Sequence, residues 1–177
     1  MTRRENDFYP TLDNNAIERL MTYWDIWVDA DVFEPCAGDL HLVKQLKDLE
    51  YYSVQYTDVN ILGGCKYFDA TSKYMWESRE TEKGKPDFTI TNPPFALAHK
   101  ILPLAYEYSK YGVAMLLRLS YLEPCKNRAV WLAEHPISKL ISIPRISFTD
   151  DGKKDMVATA WFVWDKRTNE QEIVVSS

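Results

Sequence analysis

One stretch of this sequence has residue types and spacing that suit chemistry at an amine. Thr91-Asn92-Pro93-Pro94-Phe95 directly follows the apolar run Asp87-Phe88-Thr89-Ile90. Two successive prolines cannot continue a strand ladder, and a residue before proline is held extended, so Asn92 to Phe95 form a rigid loop leaving a strand. Pro93 and Pro94 have no N–H but keep their carbonyls, which makes the loop rich in acceptors and poor in donors. Such a loop suits an amine. The Asn92 side-chain carbonyl and the Pro93 backbone carbonyl can each accept one N–H, leaving the nitrogen lone pair aimed outward, and Phe95 offers a face for a flat ring.

A second stretch suits a nucleoside. Asp31-Val32-Phe33-Glu34 reads as a short strand running into Pro35-Cys36-Ala37-Gly38-Asp39, after which Leu42, Val43, Leu46 and Leu49 supply a helical face. Strand, small-residue turn and helix open a βαβ unit. Asp58 ends the next strand, around Ser53–Thr57, and lies 20 residues after Gly38. Doubly wound folds use that spacing to bring a carboxylate to ribose hydroxyls over the first turn. Asp69 closes a third short strand, Lys66–Ala70, where it equally suits a turn cap.

The remaining elements must position these residues. Ile17, Leu20, Met21 and Trp24 fall on one face of an amphipathic helix, for which Asp13 or Asn14 is the expected cap. Residues 71–86 are polar and predict a mobile loop with at most a short helix around Tyr74-Met75-Trp76; Lys73, Arg79, Lys83 and Lys85 alternate there with acids as a solvated surface. Ala98, Ile101, Leu102, Ala105 and Tyr108 give the helix after the Asn92 loop. Gly112–Leu117 reads as a central strand buried on both faces, followed by a short helix with Val130, Trp131 and Ala133. Leu140–Ile143 and Val157–Trp164 then predict a β-hairpin, since no helical segment lies between them. Trp161 and Trp164 cannot share one face of a regular strand. The expected fold is α/β: a doubly wound, Rossmann-like, mostly parallel sheet with a C-terminal antiparallel hairpin. Glu34, Asp58, Asp69 and Asn92 end its first four strands and should line one crevice.

Composition frames these expectations. At 177 residues, 46% hydrophobic and 27% charged, the chain suits one domain, 1–177, with a helical region over 1–30, a catalytic sheet over 31–166 and a tail over 167–177. No stretch approaches the roughly 18 apolar residues of a membrane span. The N-terminus has no apolar segment behind its basic residues, and the cysteines, Cys36, Cys65 and Cys125, are odd in number and far apart. Free thiols and a cytoplasmic setting are expected. His41, His99 and His135 form no metal-ligand spacing with them, so no zinc site is expected. A net charge of −5 does not advertise a nucleic-acid partner, although Arg118, Lys126, Arg128 and Arg145 could form a local basic rim.

Taken together, Glu34-Pro35-Cys36-Ala37-Gly38-Asp39 and Thr91-Asn92-Pro93-Pro94-Phe95 resemble motifs I and IV of the S-adenosylmethionine-dependent amino methyltransferases, above all the DNA adenine methyltransferases. Phe8-Tyr9-Pro10-Thr11 is similar to their motif X, placed first as in the gamma-type order, and Arg145-Ile146-Ser147-Phe148 to motif VIII. Only Gly38 remains of the three glycines common in motif I; Cys36 and Leu40 stand at the other positions. The resemblance implies S-adenosyl-L-methionine as cofactor. Phe8 and Thr11 with Glu34 and Gly38 would hold its methionine end, Asp58 its ribose and Asp69 its adenine, and Pro35 and Asn92 would also border the cofactor. It implies catalysis by Asn92, Pro93, Pro94 and Phe95, with Phe95 and Phe148 against a flipped base, although Phe148 equally suits the core. The implied substrate is adenine in DNA. RNA adenine, a protein glutamine amide and a non-catalytic nucleic-acid-binding relative stay open. Nothing of the size of a target-recognition domain comes after the hairpin, so a partner subunit supplying target recognition is expected.

Overall fold

The computed structural model describes residues 15–61, 64–144 and 158–176. Motif X residues Phe8 and Thr11, the expected caps Asp13 and Asn14, and Phe148 lie outside the described residues. In chain order the elements are α1 (Ala16–Tyr23), β1 (Val32–Glu34), α2 (His41–Asp48), β2 (Val54–Asp58), β3 (Lys66–Tyr67), α3 (Lys73–Lys83), β4 (Phe88–Thr91), α4 (Ala98–Tyr108), β5 (Gly112–Arg118), a 3-10 turn over Leu119–Leu122, α5 (Lys126–Glu134), β6 (Lys139–Ser142), β7 (Thr159–Asp165) and β8 (Glu172–Val175).

The strands form one sheet in the order β3-β2-β1-β4-β5-β7-β6-β8. Pairing is parallel from β3 through β5, and β7 runs antiparallel to both β5 and β6. The expected antiparallel closure is present, with Leu140 opposite Phe162. β1 and β4 are neighbours although α2, β2, β3 and α3 lie between them in the chain. The chain goes outward from β1 to β3 and then returns to continue on β1's other side, which makes this the switch point where crossovers open a crevice at the strands' carboxyl ends.

Both faces of the sheet are covered. One layer joins α1 and α2 to alternate residues of the strands, among them Val32, Ile90, Leu116 and Trp161. The other packs α3 and α4 against Phe33, Val113, Met115 and Trp164. Trp161 and Trp164 are both fully buried, one in each layer, as their odd spacing along β7 requires. Helix α4 buries the five residues its periodicity singled out, Ala98, Ile101, Leu102, Ala105 and Tyr108. In α2 the expected face holds for Leu42, Val43 and Leu46, whereas Leu49 sits past the helix end and is exposed. At the base of the sheet the Trp24 indole donates to Asp165 Oδ2 at 2.9 Å, and Arg167 also binds that carboxylate.

Two expectations need correction. The segment 71–86 is not a loop from which no core can be built: α3 runs for 11 residues and buries Trp76 and Arg79. Trp76 meets Phe33 and Phe68 edge-on, at centroid distances of 5.4 and 5.3 Å, and donates its indole N–H to the Ala70 carbonyl. Arg79, expected on a solvated surface, lies 4.3 Å over the Phe33 ring and donates to the Gly84 carbonyl and to Gln55 Oε1. One indole and one guanidinium stem bury surface here that no row of aliphatic residues marks in the sequence. The stretch 167–177 is likewise more than a tail, because β8 pairs in parallel with β6 and seats Val174 against the core.

Candidate active site

The carboxyl ends of β1, β2 and β4 and the segment after β3 converge on a cleft of about 780 Å³, measured out to its open mouth. Glu34, Asp58, Asp69 and Asn92 all line it, as do Pro35, Gly38 and Pro94. The sheet thus brings the four strand-end residues together.

Glu34 is fully buried at the floor. Its Oε1 accepts from the Cys36 N–H at 2.9 Å and from the Thr91 hydroxyl at 2.5 Å, which ties the end of β1 to the end of β4. Its Oε2 is buried with no hydrogen-bond partner among the described residues. Burial pushes the carboxyl up to about 8, with the nearby Asp58 charge adding to the rise and the two hydrogen bonds opposing it. Burial also raises the Cys36 thiol well above its ordinary value, so it stays protonated and packs as a small apolar group.

Asp58 sets the turn after β1. Its Oδ2 accepts from the Gly38 N–H at 2.9 Å and its Oδ1 from the Asn60 N–H at 2.7 Å, so the 20-residue spacing corresponds to a contact. Each oxygen keeps a second lone pair for a hydroxyl in the cleft. Gly38 has φ 47° and Leu40 φ 65°. Leu40 therefore keeps the left-handed backbone of a glycine position without being glycine, while its side chain packs with Ala37, Val43 and Cys65. Leu40→Gly should be more stable than Leu40→Ala by roughly 0.5–1 kcal/mol, the strain relieved less the added chain entropy, because both lose nearly all of the leucine's packing. Denaturant melts of the two variants check this; the opposite order would mean that the turn relaxes around alanine.

Asp69 does two things. Its Oδ1 caps the turn into α3 by accepting from the Thr71 N–H and hydroxyl, and the residue also lines the cleft. Past β4, Asn92 is half-buried and Pro93 buried. The Pro94 carbonyl accepts from the Leu97 N–H at 2.9 Å in the turn that opens α4. Phe95 touches both core layers from a half-buried position, and the Arg118 guanidinium at the end of β5 lies 4.8 Å over its ring. Pro93 and Phe95 stand beside the cleft rather than in its lining.

Sequence reasoning missed Thr91 as a partner of Glu34, and Phe68 and Ile101 as apolar walls of the cleft. Thr91 had a signal, a hydroxyl at the last buried position of the strand that ends in Asn92. Phe68 and Ile101 had none apart from their place in a strand and a helix.

The arrangement suits a ligand with a cationic group, a diol and a flat apolar ring. The same architecture occurs in solved structures. A type I restriction-modification methyltransferase subunit from Streptococcus thermophilus superposes with a TM-score of 0.65 at 14% identity over 95% of this chain. A candidate RNA methyltransferase from Pyrococcus horikoshii gives 0.65 at 20% identity over 91%, and a candidate class I S-adenosylmethionine-dependent methyltransferase from Listeria monocytogenes 0.65 at 13% over 94%. The fold is that of the class I methyltransferases. The chain spans 46% of the Streptococcus subunit, 64% of the Listeria protein and 88% of the Pyrococcus one. No family model and no curated protein matches this chain by sequence. Among the described residues no helix is long and apolar enough to cross a membrane, and no cluster of His, Cys, Asp and Glu could hold a metal ion.

Proposed function

We propose that this chain transfers a methyl group from S-adenosyl-L-methionine to the exocyclic amine of an adenine flipped out of DNA. One observation supports this reading above the others: the acceptor-rich Asn92-Pro93-Pro94-Phe95 loop leaves β4 beside a cleft that also holds Glu34, Asp58 and Asp69.

The residues present fit the cofactor. The buried Glu34 Oε2, without a partner among the described residues, suits the α-ammonium. Asp58 suits the ribose hydroxyls, Asp69 the adenine edge, and Phe68 and Ile101 its faces. When bound, the cofactor supplies an electrophilic methyl sulfonium whose leaving group is a neutral thioether. Asn92 then has one task on the other reactant. An aromatic amine delocalises its lone pair into the ring, and two acceptors, the Asn92 Oδ1 and the Pro93 carbonyl, take its N–H groups and favour the pyramidal form. The Pro94 carbonyl already accepts from the Leu97 N–H in the turn, which supports Pro93 as the backbone acceptor in this reading. Phe95 provides a face for the base, and base–aromatic stacking is worth roughly 1–3 kcal/mol.

The same site on RNA adenine is the second reading, supported by the Pyrococcus neighbour, which has nearly the length of this chain. Labelled methyl from S-adenosylmethionine, offered to duplex DNA, single-stranded DNA, tRNA and a glutamine-bearing protein, separates these readings after nucleoside analysis. N6-methyladenine in DNA is the expected product. Label confined to tRNA selects the second reading, and label confined to protein ends both. A target-recognition partner would show itself as transfer restored by addition of a second subunit.

A further inference from the structure

The segment that leaves β5 and enters α5 carries two guanidinium groups, each laid on an aromatic ring. Arg118 lies 4.8 Å from the centre of Phe95, and Arg128 lies 4.8 Å from the centre of Tyr121. Tyr121 is buried, whereas Ser120 and Leu122 to Cys125 are exposed. Arg128 is held in place by donating to the Glu123 carbonyl at 2.5 Å. Arg118 is half-buried at the carboxyl end of β5, the strand next to β4, and so stands on the same rim as Asn92.

Arg118 covers a face of the one aromatic ring in the Asn92 loop. A base stacking on that face must displace the guanidinium or slide beneath it. Either way the guanidinium stays on the rim that carries Asn92, planar, permanently charged and shaped to grip two oxygens at once. A protein side-chain amide would bring nothing anionic for it. A nucleotide brings its own phosphate.

We propose that Arg118 holds Phe95 before substrate entry and then takes a phosphate flanking the extruded nucleotide, making it a positioning residue that selects an amine carried on a phosphodiester chain. This rests on the adenine reading above. Arg128, fixed on Tyr121, adds a second positive charge to the path of the strand, and Glu123 is the one acid between the two arginines in the sequence.

The test compares wild type, Arg118→Gln and Arg118→Lys in methyl transfer to a DNA or RNA oligonucleotide across a salt series, with S-adenosylmethionine affinity measured separately. Arg118→Gln should raise the oligonucleotide KM about tenfold to a hundredfold. It should also flatten the dependence of log KM on log salt by about one, with cofactor affinity unchanged. Arg118→Lys should restore the salt slope but not the full kcat, since an ammonium keeps the charge and loses the planar stack. An unchanged salt slope in Arg118→Gln, with wild type active on the oligonucleotide, overturns the phosphate role and leaves the adenine reading standing. No transfer to any oligonucleotide by wild type overturns both. Lost cofactor affinity in Arg118→Gln, with Arg118→Lys no better, would mark a merely structural residue and overturn the phosphate role as well.

Discussion

Asn92→Ala should bind S-adenosylmethionine as wild type does and lose on the order of 10²–10³-fold in methyl transfer. That magnitude is the usual cost of removing one preorganised hydrogen-bonding group from a transition state. The fold should survive the change, because Asn92 lies one residue beyond the β4 ladder, whose last rung pairs Thr91 with Met115. Asn92→Asp gives a sharper test of the acceptor role. Aspartate keeps an acceptor oxygen at the same place, with a second oxygen and a negative charge in place of the NH2 donors, so it should retain more activity than alanine. Single-turnover transfer, with calorimetry for the cofactor, measures both effects. Turnover of Asn92→Ala equal to wild type would refute the assigned role, and an aspartate variant no better than alanine would mean that the amide donates.

The second large effect concerns Glu34 and pH. Its folded-state value near 8 lies above the 4.5 of an ordinary glutamate, because a fully buried carboxyl resists ionisation. The unfolded chain therefore releases this proton first. Stability contributed by the protonated group is complete below about pH 4.5 and is lost as pH rises through about 8. The full difference is on the order of 5 kcal/mol. Without cofactor, wild type should lose several degrees of Tm between pH 6 and 8.5, and Glu34→Gln, which cannot ionise, should lose much less. The cofactor should reverse the trend, since an ammonium against Glu34 favours the carboxylate. Binding should release a proton near pH 7, visible as a buffer-dependent calorimetric enthalpy, and should weaken in Glu34→Gln. Parallel Tm curves for the two proteins would show that Glu34 does not carry this proton.

Much of the candidate site was legible because it is built from strand ends. Glu34, Asp58 and Asn92 each come at the end of a short strand, and the spacing of Gly38 from Asp58 encoded a contact now seen at 2.9 Å. Helix α4 was legible because its buried face is apolar and regularly spaced. Helix α3 was not, since Trp76 and Arg79 bury large surfaces on few residues amid charges. Strand β8 was missed for a different reason: Ile173 and Val175 are exposed, so the pattern of a buried strand is absent and only the ladder to β6 defines it. The Thr91–Glu34 bond joins residues 57 apart and depends on β1 and β4 being neighbours, a fact of topology that local pattern does not carry.

That adjacency makes the sheet a ruler. Neighbouring strands stand about 4.8 Å apart whatever their side chains, because the spacing belongs to the backbone ladder. In the proposed reaction the donor's pocket hangs from β1 and the acceptor's loop from β4, so the separation of the two reactants is inherited from a hydrogen-bonded rung. Helices and loops can then drift in sequence without disturbing the distance over which the methyl group travels. The neighbours bear the mark of such freedom, keeping the fold at 13 to 20% identity.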